Sequence, residues 1–575
     1  MEKKKSKAGL VVLIVFAVLL MEIVPSVLLG ILSDQISGGD AIKRQEDTYQ
    51  RVNYTELTRN QRLEDFDYFF EMLKTTLPYV YDMEEKFGFS VLDREEEYRR
   101  LVWECPDDYA FFALMYSIIN DIPSGHASFA PPDYYSYFSS GYYRTDTVGL
   151  NLTDNLRGKL DAYGQYLVTK QHEYDRKTED ALMFTYADGS YLCTGASGAE
   201  FHSVITEING GDPGKFIANM LSPTGKLLYD PKYECAYRPY IVFSTVGTQP
   251  VTLSLTLQDG TECDVVVYTD YDIVFSWYNG GYFATDYYNY EGEEFEAAPD
   301  ADETAVGIQT DDSIDLAYVQ LSSLLYSDGS VVEEKLREIS DYDTIVIDLR
   351  GNGGGISSFY ESYIYPALYK EDASFEAIGY VPKNSYTKGL FNGLIGGALN
   401  RLVNGLRFGV TDEYPPEMYD CSNGEYYKYS FKHKLSGDSS LSYSDNRSVY
   451  YIVNNNTCSA ADEIVQMVKE CDLGTVVGTH TLGEGLIFGV CCDWLPNSLL
   501  MYYYCPTYAV DSEGVNNNLY GTMPDIYGGT SLEGYIISDE MELMGQDWTT
   551  LENRELWDNN YRIILGEIGA LDMAA

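Results

Sequence analysis

Positive charge is scarce in this chain of 575 residues, which has 39 lysines and arginines against 89 aspartates and glutamates. The formal net charge is −50, and a surface of that sign repels the phosphate backbones of DNA and RNA. The composition therefore argues against a nucleic-acid partner. Hydrophobic residues make up 45% of the chain and charged residues 22%, which is the composition of a folded protein and not of a disordered one.

Two common binding signatures are also missing. The ten cysteines form no Cys-x-x-Cys pair, so the sequence does not support a zinc site, and we expect neither a metal nor a cofactor. The glycine-rich turn at 351–355 is not followed by Gly-Lys-Ser or Gly-Lys-Thr, which argues against a nucleotide-binding loop. Ten cysteines in an oxidising compartment are expected to form disulfides, whose pairing the sequence does not define.

A long hydrophobic run stands at the N-terminus. Residues 8–32 are apolar except for Glu22 and a proline, and they follow a segment with four lysines. A membrane-spanning helix needs about 20 apolar residues, and its positive flank stays in the cytosol. We expect a membrane anchor or signal segment at 1–35, crossing the cell membrane once with the body outside. Cleavage near Ser33, which would release a secreted protein, is the alternative.

Helical periodicity begins after a polar tether at 36–57. Apolar residues recur three to four positions apart in the segment 58–81, and the segment 106–122 repeats the pattern. We therefore predict an N-terminal helical domain at 58–140. It contains the turn "SGHASF", which carries His126.

The region 141–300 has the signals of a β-rich fold. In "PVTLSLTLQDGTECDVVVY" (250–268), two alternating runs are joined by Asp-Gly, which predicts a hairpin. The stretch "SVITEINGGDPGKFI" (203–217) predicts a strand, a glycine turn and a short helix. Together they indicate a compact module at about 200–270. The acidic run at 291–304 is expected to be a solvated linker.

Strands and helices alternate through residues 305–535, which predicts an α/β core. Strand patterns stand at 314–321, 343–348 and 448–453, and helical patterns at 329–342 and 461–470. A helical tail is expected at 536–575. The fold class is thus a multidomain chain that combines α/β and α+β parts.

Two residues in this frame are candidates for catalysis. Ser459, in "NNNTCSAADEIVQ" (454–466), lies between a predicted strand and a predicted helix, where helix amides can stabilise negative charge. Serine is also a favoured helix cap, and taken alone the pattern favours the cap. Cys458 is the competing nucleophile. His126 lies in a turn where it can act as a general base, although a single histidine is more often structural.

In their order along the chain, "DTIVIDLRGNGGG", "TCSAADEI" and "GTMPDI" resemble motifs of the S41 family of serine peptidases, the C-terminal-processing and tricorn-core group. The resemblance spans roughly residues 58–530. It implies a ClpP/crotonase-like catalytic core, a PDZ-like module at about 200–270, and peptide or protein substrates cleaved through an acyl-enzyme. It makes Ser459 the nucleophile and places oxyanion donors at the backbone of Gly354 and Ala460.

The S41 family has two catalytic designs. One pairs the serine with a lysine in a Gly-Lys-Gly element, but here "LGEGLIF" puts Glu484 at the lysine position. The tricorn-like design uses a histidine in a Gly-His turn, which makes His126 the general base. The residue that orients this histidine is a glutamate in many such members. Its place is taken here by Asn518, with Glu513 as the nearby acidic candidate.

Three alternatives stay open at this point. The residues at 484 and 518 are compatible with a catalytically inactive S41-like protein that binds peptides or glycans at the cell surface. The 54 tyrosines are compatible with a carbohydrate-binding surface protein. A Ser–Lys enzyme could also take its lysine from elsewhere in the chain. The sequence does not define the substrate, the cleavage preference or the oligomeric state.

Overall fold

The computed structural model describes residues 54–130, 159, 162–167, 169–170, 182–194, 203–222, 225–243, 250–268, 306–325, 328–387, 407–444, 446–487, 489–512 and 514–571. The N-terminal anchor, the acidic linker and Glu513 lie outside these ranges. The described helices include none that is both long and apolar enough to cross a membrane.

Packing divides the chain into two units. One comprises residues 1–54 and 132–166, and the other comprises 55–131 and 167–575. In the first unit the ring of Tyr54 stacks on that of Tyr166, with the centroids 4.0 Å apart. The elements named below belong to the second unit.

Most helices in the described ranges lie between residues 59 and 120 or after residue 329. In chain order they are α1 (Arg59–Thr76), α2 (Met83–Phe87), α3 (Glu95–Glu104), α4 (Asp108–Asn120), α5 (Pro213–Ala218), α6 (Gly329–Glu338), α7 (Tyr365–Leu368), α8 (Ala460–Glu470), α9 (Asn517–Tyr520), α10 (Leu532–Leu543), α11 (Leu551–Trp557) and α12 (Asn559–Glu567). Short 3₁₀ turns span Pro78–Tyr81 and Val91–Arg94, and a π-helical turn spans Tyr360–Ile364.

Strands fill most of the region between. In chain order they are β1 (Ser128–Phe129), β2 (Leu182–Ala187), β3 (Ser190–Thr194), β4 (Ser203–Ile208), β5 (Leu228–Asp230), β6 (Cys235–Tyr237), β7 (Tyr240–Phe243), β8 (Pro250–Leu257), β9 (Glu262–Tyr268), β10 (Val306–Asp311), β11 (Leu316–Leu321), β12 (Thr344–Asp348), β13 (Ala373–Pro382), β14 (Arg407–Thr411), β15 (Tyr426–Leu435), β16 (Ser448–Val453), β17 (Thr475–Gly478), β18 (Cys491–Trp494), β19 (Met501–Tyr504), β20 (Tyr508–Ala509) and β21 (Ile526–Tyr527).

The predicted helical pattern at 58–81 and 106–122 is confirmed by α1 and α4. A capping box starts α1: the Thr58 hydroxyl accepts the amide of Gln61 at 3.3 Å, and the Gln61 side chain accepts the amide of Thr58 at 3.0 Å. Asp107 caps α4 by accepting the amide of Ala110 at 2.9 Å. Almost every residue of α4 is buried, which explains its continuous apolar run.

A mixed six-stranded sheet, which we call the central sheet, has the order β10-β11-β12-β16-β17-β21. β10 is antiparallel to β11, and the remaining neighbours are parallel. Alternate side chains of β11 face opposite layers: Ala317 and Val319 pack with α6 and α8, while Leu316 and Tyr318 pack with α12. Helices on both faces bury β12 along its whole length, and the strands and helices predicted for this region are confirmed.

A second six-stranded sheet, which we call the antiparallel sheet, has the order β7-β2-β3-β4-β8-β9. The hairpin predicted at 250–268 is confirmed, since β8 pairs with β9 from Pro250↔Tyr268 to Thr256↔Glu262 around the Asp-Gly turn. The strand, turn and short helix predicted at 203–217 correspond to β4 and α5.

Smaller sheets attach the histidine turn to the core. β1, which starts two residues after His126, pairs with β19, and β19 pairs with β18. The strands β14, β15, β13 and β20 form a four-stranded sheet, and β5 pairs with β6. The position of His126 is therefore set by α4 on one side and by β1 on the other.

All ten cysteines lie in the described ranges, and each is a free thiol. The expectation that they form disulfides is therefore wrong for this structure. Five of them are buried: Cys105, Cys193, Cys458, Cys491 and Cys505. Buried free cysteine behaves as a small hydrophobic residue, so these side chains contribute to the core by packing and not by cross-linking.

A buried histidine couples β15 to helix α8. In His433, Nδ1 contacts the Glu361 carboxylate and Nε2 lies 3.0 Å from Oε1 of Glu463. Burial lowers the pKa of His433, but the two carboxylates outweigh it and raise that pKa to about 9. The ordinary pKa of an unfolded histidine is about 6.5. The imidazolium is thus held between two acidic side chains, one of which, Glu463, belongs to helix α8.

This geometry predicts a pH-dependent stability. Because the folded pKa is raised, the contribution of His433 is fully present below pH about 6.5 and is lost as the pH rises through about 9, amounting to at most about 3 kcal/mol. We expect thermal melting temperatures to fall over this window more steeply in the wild type than in His433→Gln. Parallel profiles for the two proteins would contradict this assignment.

Candidate active site

The turn between β16 and α8 holds Ser459 in a strained conformation. Its φ is 57° and its ψ is −128°, a combination that costs a residue with a side chain on the order of 1–3 kcal/mol. Ser459 occupies the N-cap position of α8, but its side chain makes no capping hydrogen bond. The residue is partly exposed. In α/β-hydrolases a strained strand-to-helix turn presents the nucleophilic serine.

Hydrogen bonds fix the turn from two sides. The amide of Cys458 donates to the carbonyl of Asn352 at 3.1 Å, and the Thr457 hydroxyl donates to the carbonyl of Leu349 at 2.9 Å. On the other side, the amide of Ser459 donates to the carbonyl of Gly483 at 3.0 Å. Ser459 is therefore held between the glycine turn after β12 and the loop after β17.

The glycine turn lies directly against the serine. A Cβ added at Gly354, whose φ is 100°, would stand 2.8 Å from Cβ of Ser459 and 2.8 Å from the amide nitrogen of Ala460. Only glycine permits so close an approach. The Gly354 amide donates to the side-chain oxygen of Asn352 at 2.9 Å. The amide of Ala460 is the first of α8, so it has no acceptor within its own helix.

His126 contacts the carboxylate of Glu484, the residue that stands at the lysine position of the Gly-Lys-Gly element. Its Nδ1 lies 2.5 Å from Oε2 of Glu484, and its backbone amide donates to the same oxygen at 2.8 Å. The Ser124 hydroxyl donates to Oε1 of Glu484 at 2.5 Å. Because a carboxylate only accepts, this contact fixes the proton of a neutral imidazole on Nδ1, which leaves Nε2 as the acceptor nitrogen.

The Glu484 carboxylate is buried and ionised. Burial raises its pKa, but the charge of His126 and the hydrogen bonds from His126 and Ser124 outweigh this effect and leave the pKa below its ordinary value. A buried carboxylate that stays ionised is suited to orient an imidazole and to stabilise its protonated form.

The histidine turn packs onto the residue before the serine. A Cβ added at Gly125 would lie 2.4 Å from Sγ of Cys458 and 3.3 Å from Oε2 of Glu484. One ring nitrogen of His126, Sγ of Cys458 and one carboxylate oxygen of Glu484 lie within 4.8 Å of one another. The structure therefore brings His126 and Glu484 to the turn that carries Ser459.

A buried aspartate holds the loop that carries Glu484. Asp462 of α8 accepts hydrogen bonds from the hydroxyls of Thr481 at 2.5 Å and Thr522 at 2.6 Å, and from the amide of Gly485 at 2.9 Å. Burial raises the pKa of Asp462, and these donors oppose the rise. Helix α8 and the loop that carries Glu484 are thus joined by one polar cluster.

Lys226 stabilises the turn that carries His126 through two hydrogen bonds. Nζ of Lys226 donates to the carbonyl of Ala127 at 2.8 Å and to that of Ile122 at 3.2 Å. Burial lowers the pKa of Lys226 to about 8, partly opposed by the charge of Glu484. Its place beside the histidine turn makes Lys226 the candidate for a Ser–Lys design that takes its lysine from elsewhere in the chain.

Asn518 does not orient His126 directly. Its side-chain nitrogen lies 3.4 Å from Oε1 of Glu484, so it contacts the carboxylate that holds the histidine. The second candidate for orienting His126, Glu513, is outside the described residues. Sequence reasoning treated Glu484 as a missing lysine and so missed it as the partner of His126. The sequence signal for this role was an ionisable side chain, Glu484, between two glycines in the loop after β17.

A serine on a strand-to-helix turn, and a histidine bound to a carboxylate on a turn that packs against it, are the components of a serine hydrolase site. The model of peptidase family S41 matches residues 391–527, a span that includes Ser459 and Glu484. This match confirms the resemblance to the S41 serine peptidases that the motifs indicated. No curated protein matches the chain.

Several solved structures align with the chain at low similarity. Mature CPAF complexed with lactacystin aligns over 89% of this chain and 98% of its own, at 13% identity and a TM-score of 0.46. The photosystem II D1 C-terminal processing protease covers 82% and 93%, at 12% identity and a TM-score of 0.31. The tricorn protease covers 89% and 37%, at 14% identity and a TM-score of 0.29. Because these scores are below 0.5, the similarity to family S41 rests on the match at 391–527.

Proposed function

We propose that the chain is an endopeptidase that cleaves peptide bonds through an acyl-enzyme on Ser459, with His126 as general base and Glu484 as its orienting carboxylate. The observation that carries this proposal is the contact between Nδ1 of His126 and Oε2 of Glu484, at 2.5 Å. It leaves Nε2 as a proton acceptor on a turn that packs against the serine turn.

In the proposed reaction the hydroxyl of Ser459 attacks the peptide carbonyl and its proton passes to Nε2 of His126. Glu484 stabilises the resulting imidazolium. The protonated His126 then donates to the leaving amine, which departs and leaves the acyl group on Ser459. Water, deprotonated by His126, releases the acid product and restores the serine.

The oxyanion that forms during attack needs two amide donors. The amide of Ala460 is free of any acceptor in its own helix. Gly354 contributes the second donor once the oxyanion displaces the side-chain oxygen of Asn352, which accepts its amide at 2.9 Å. The contact of Gly354 with Cβ of Ser459 supports this assignment.

We also propose that the antiparallel sheet is a PDZ-like module that binds peptide segments, while α1 to α4 form an N-terminal helical domain. A cavity of about 670 Å³ lies between β4 and α5, lined by Val204, Thr206, Pro213 and Ala218 among others. Because β4 is paired with β3 on one side and with β8 on the other, a peptide in this cavity would be held by side-chain contacts and not as an added strand.

The residues at 1–35 remain our proposed membrane anchor, with the peptidase body outside the cell. The hydrophobic length and the lysine-rich flank support this topology. The rival function, an inactive S41-like binding protein, is less well supported. A protein that only binds peptides or glycans has no need for a buried carboxylate, Glu484, that holds His126 next to the turn of Ser459.

Glu484→Gln tests the proposal directly. Glutamine keeps the shape of the side chain but removes its charge, and its amide nitrogen can turn toward Nδ1 and favour the wrong tautomer. We expect kcat on a peptide substrate, and the rate of labelling by a fluorophosphonate probe, to fall by about 10⁴-fold. Both quantities are measured on the full chain, with labelling at Ser459 located by mass spectrometry.

Glu463→Gln is the matched control. Glu463 is also buried and also contacts a histidine, His433, but it lies outside the site. We expect its kcat to stay within about tenfold of the wild type. Equal losses in the two variants would trace the effect to folding, and an unchanged Glu484→Gln enzyme would refute the role of Glu484.

A further inference from the structure

The side chains of His126, Cys458 and Glu484 make up the one cluster of potential metal ligands found among the described residues. Each contributes one ligand atom, and the three atoms lie within 4.8 Å of one another. A thiolate, an imidazole and a carboxylate are the three ligand types that zinc takes from proteins. Cys458 has no part in the proposed hydrolytic mechanism, and its thiol lies beside the proposed general base.

We propose that this cluster is an inhibitory zinc site, in which Zn²⁺ binds Nδ1 of His126, Sγ of Cys458 and a carboxylate oxygen of Glu484. In its consequence for activity, this inference rests on the proposed function of His126. In a tetrahedral zinc site the ligand atoms stand about 3–4 Å from one another. The side chains reach that geometry if the contact between His126 and Glu484 opens by about 1 Å from its 2.5 Å separation.

The proton balance explains why a bound ion stops catalysis. In the free enzyme Nδ1 carries the proton and Nε2 accepts the serine proton. Zinc on Nδ1 moves that proton to Nε2, so the ring has no free electron pair to offer Ser459. The thiol of Cys458 loses its proton to solvent when it becomes a ligand, and one proton is released for each ion bound.

Burial also supports a specific site. Cys458 is 6% exposed and Glu484 is fully buried, whereas the His126 side chain is 23% exposed and gives the ion a path from solvent. A divalent cation also offsets the negative charge of the buried Glu484 carboxylate.

The three ligands come from segments far apart in the chain, on the turn after α4, the turn before α8 and the loop after β17. No spacing motif joins them, which is why the sequence led us to expect no metal. The site exists only because the fold stacks the histidine turn on the serine turn.

The test uses the full chain, first treated with EDTA, and Zn²⁺ or Co²⁺ added alone. We expect Zn²⁺ to inhibit peptide hydrolysis reversibly, and Co²⁺ to give a thiolate-to-cobalt charge-transfer absorption at one ion per chain. In Cys458→Ser the absorption should vanish and the inhibitory Zn²⁺ concentration should rise at least about tenfold, because even outer-shell losses weaken metal sites by 10–100-fold. Cys471→Ser, at the far end of α8, is the matched control and should behave as the wild type.

The outcomes separate the two proposals. A cobalt absorption that depends on Cys458, in a chain without peptidase activity, supports the metal site and refutes the proposed function. An active enzyme that shows no absorption, or whose inhibition by Zn²⁺ is the same in Cys458→Ser and wild type, refutes the metal site. Melting curves with and without Zn²⁺ give a third readout, since a bound ion should stabilise the wild type more than Cys458→Ser.

Discussion

Replacing Ser459 by alanine is expected to lower kcat on a peptide substrate by roughly a millionfold, the loss that follows removal of the nucleophile from a comparable triad. The KM is expected to change little, because the hydroxyl forms its decisive bond only during attack. Stability should also change little, since the Ser459 side chain caps no helix amide and both residues have the same strained backbone to accommodate. Steady-state kinetics and thermal melting measure these three quantities.

Cys458→Ala is the control for this experiment, because Cys458 is the competing nucleophile in the same turn. Its thiol is buried and protonated, as the raised pKa indicates, so it is unsuited to attack. We expect this variant to keep at least about a tenth of the wild-type kcat. The assignment of Ser459 would fail if Cys458→Ala lost all activity while Ser459→Ala kept it.

The second large effect is expected for His126→Gln, which should also reduce kcat by roughly a millionfold, because nucleophile and base act as one unit. Glutamine fills similar space and can donate to Glu484, but it cannot accept the serine proton at neutral pH. Fluorophosphonate labelling should slow in parallel, since the probe needs the same activated hydroxyl.

Lys226→Met distinguishes this design from a Ser–Lys dyad. Methionine keeps the length of the side chain and loses two hydrogen bonds to the carbonyls at the ends of the histidine turn. Because Lys226 then acts by positioning His126, the loss in kcat should not exceed about a hundredfold. The opposite ranking, with Lys226→Met inactive, His126→Gln active and activity rising through pH about 8, would make Lys226 the base.

Much of the fold followed from local patterns. The helix starts at Thr58 and Asp107 depend on side chains that reach only three residues along the chain. The β8–β9 hairpin depends on one Asp-Gly turn, and alternation in β11 separates two layers of core. Such signals lie within a few residues, so they can be interpreted without the rest of the molecule.

Only part of the candidate site could be predicted from such local patterns. Ser459 and His126 stood in distinctive turns, and the family motifs pointed to both. The partner of His126 did not, because Glu484 lies 358 residues further along the chain and occupies a position where the motif leads one to expect a lysine. The sequence pointed instead to Asn518, which contacts Glu484 and not the histidine.

By itself, the sequence determined the elements of this protein, the turn that presents Ser459 and the family to which the chain is similar. These depend on periodicity, turn chemistry and short motifs, all of which act over a few residues. The tertiary structure alone decided whether Ser459 caps its helix, which carboxylate holds His126, and that Cys458 stands beside them. These depend on how the loop after β17 and the turn after α4 stack on the serine turn, and that stacking follows from the packing of whole sheets and helices.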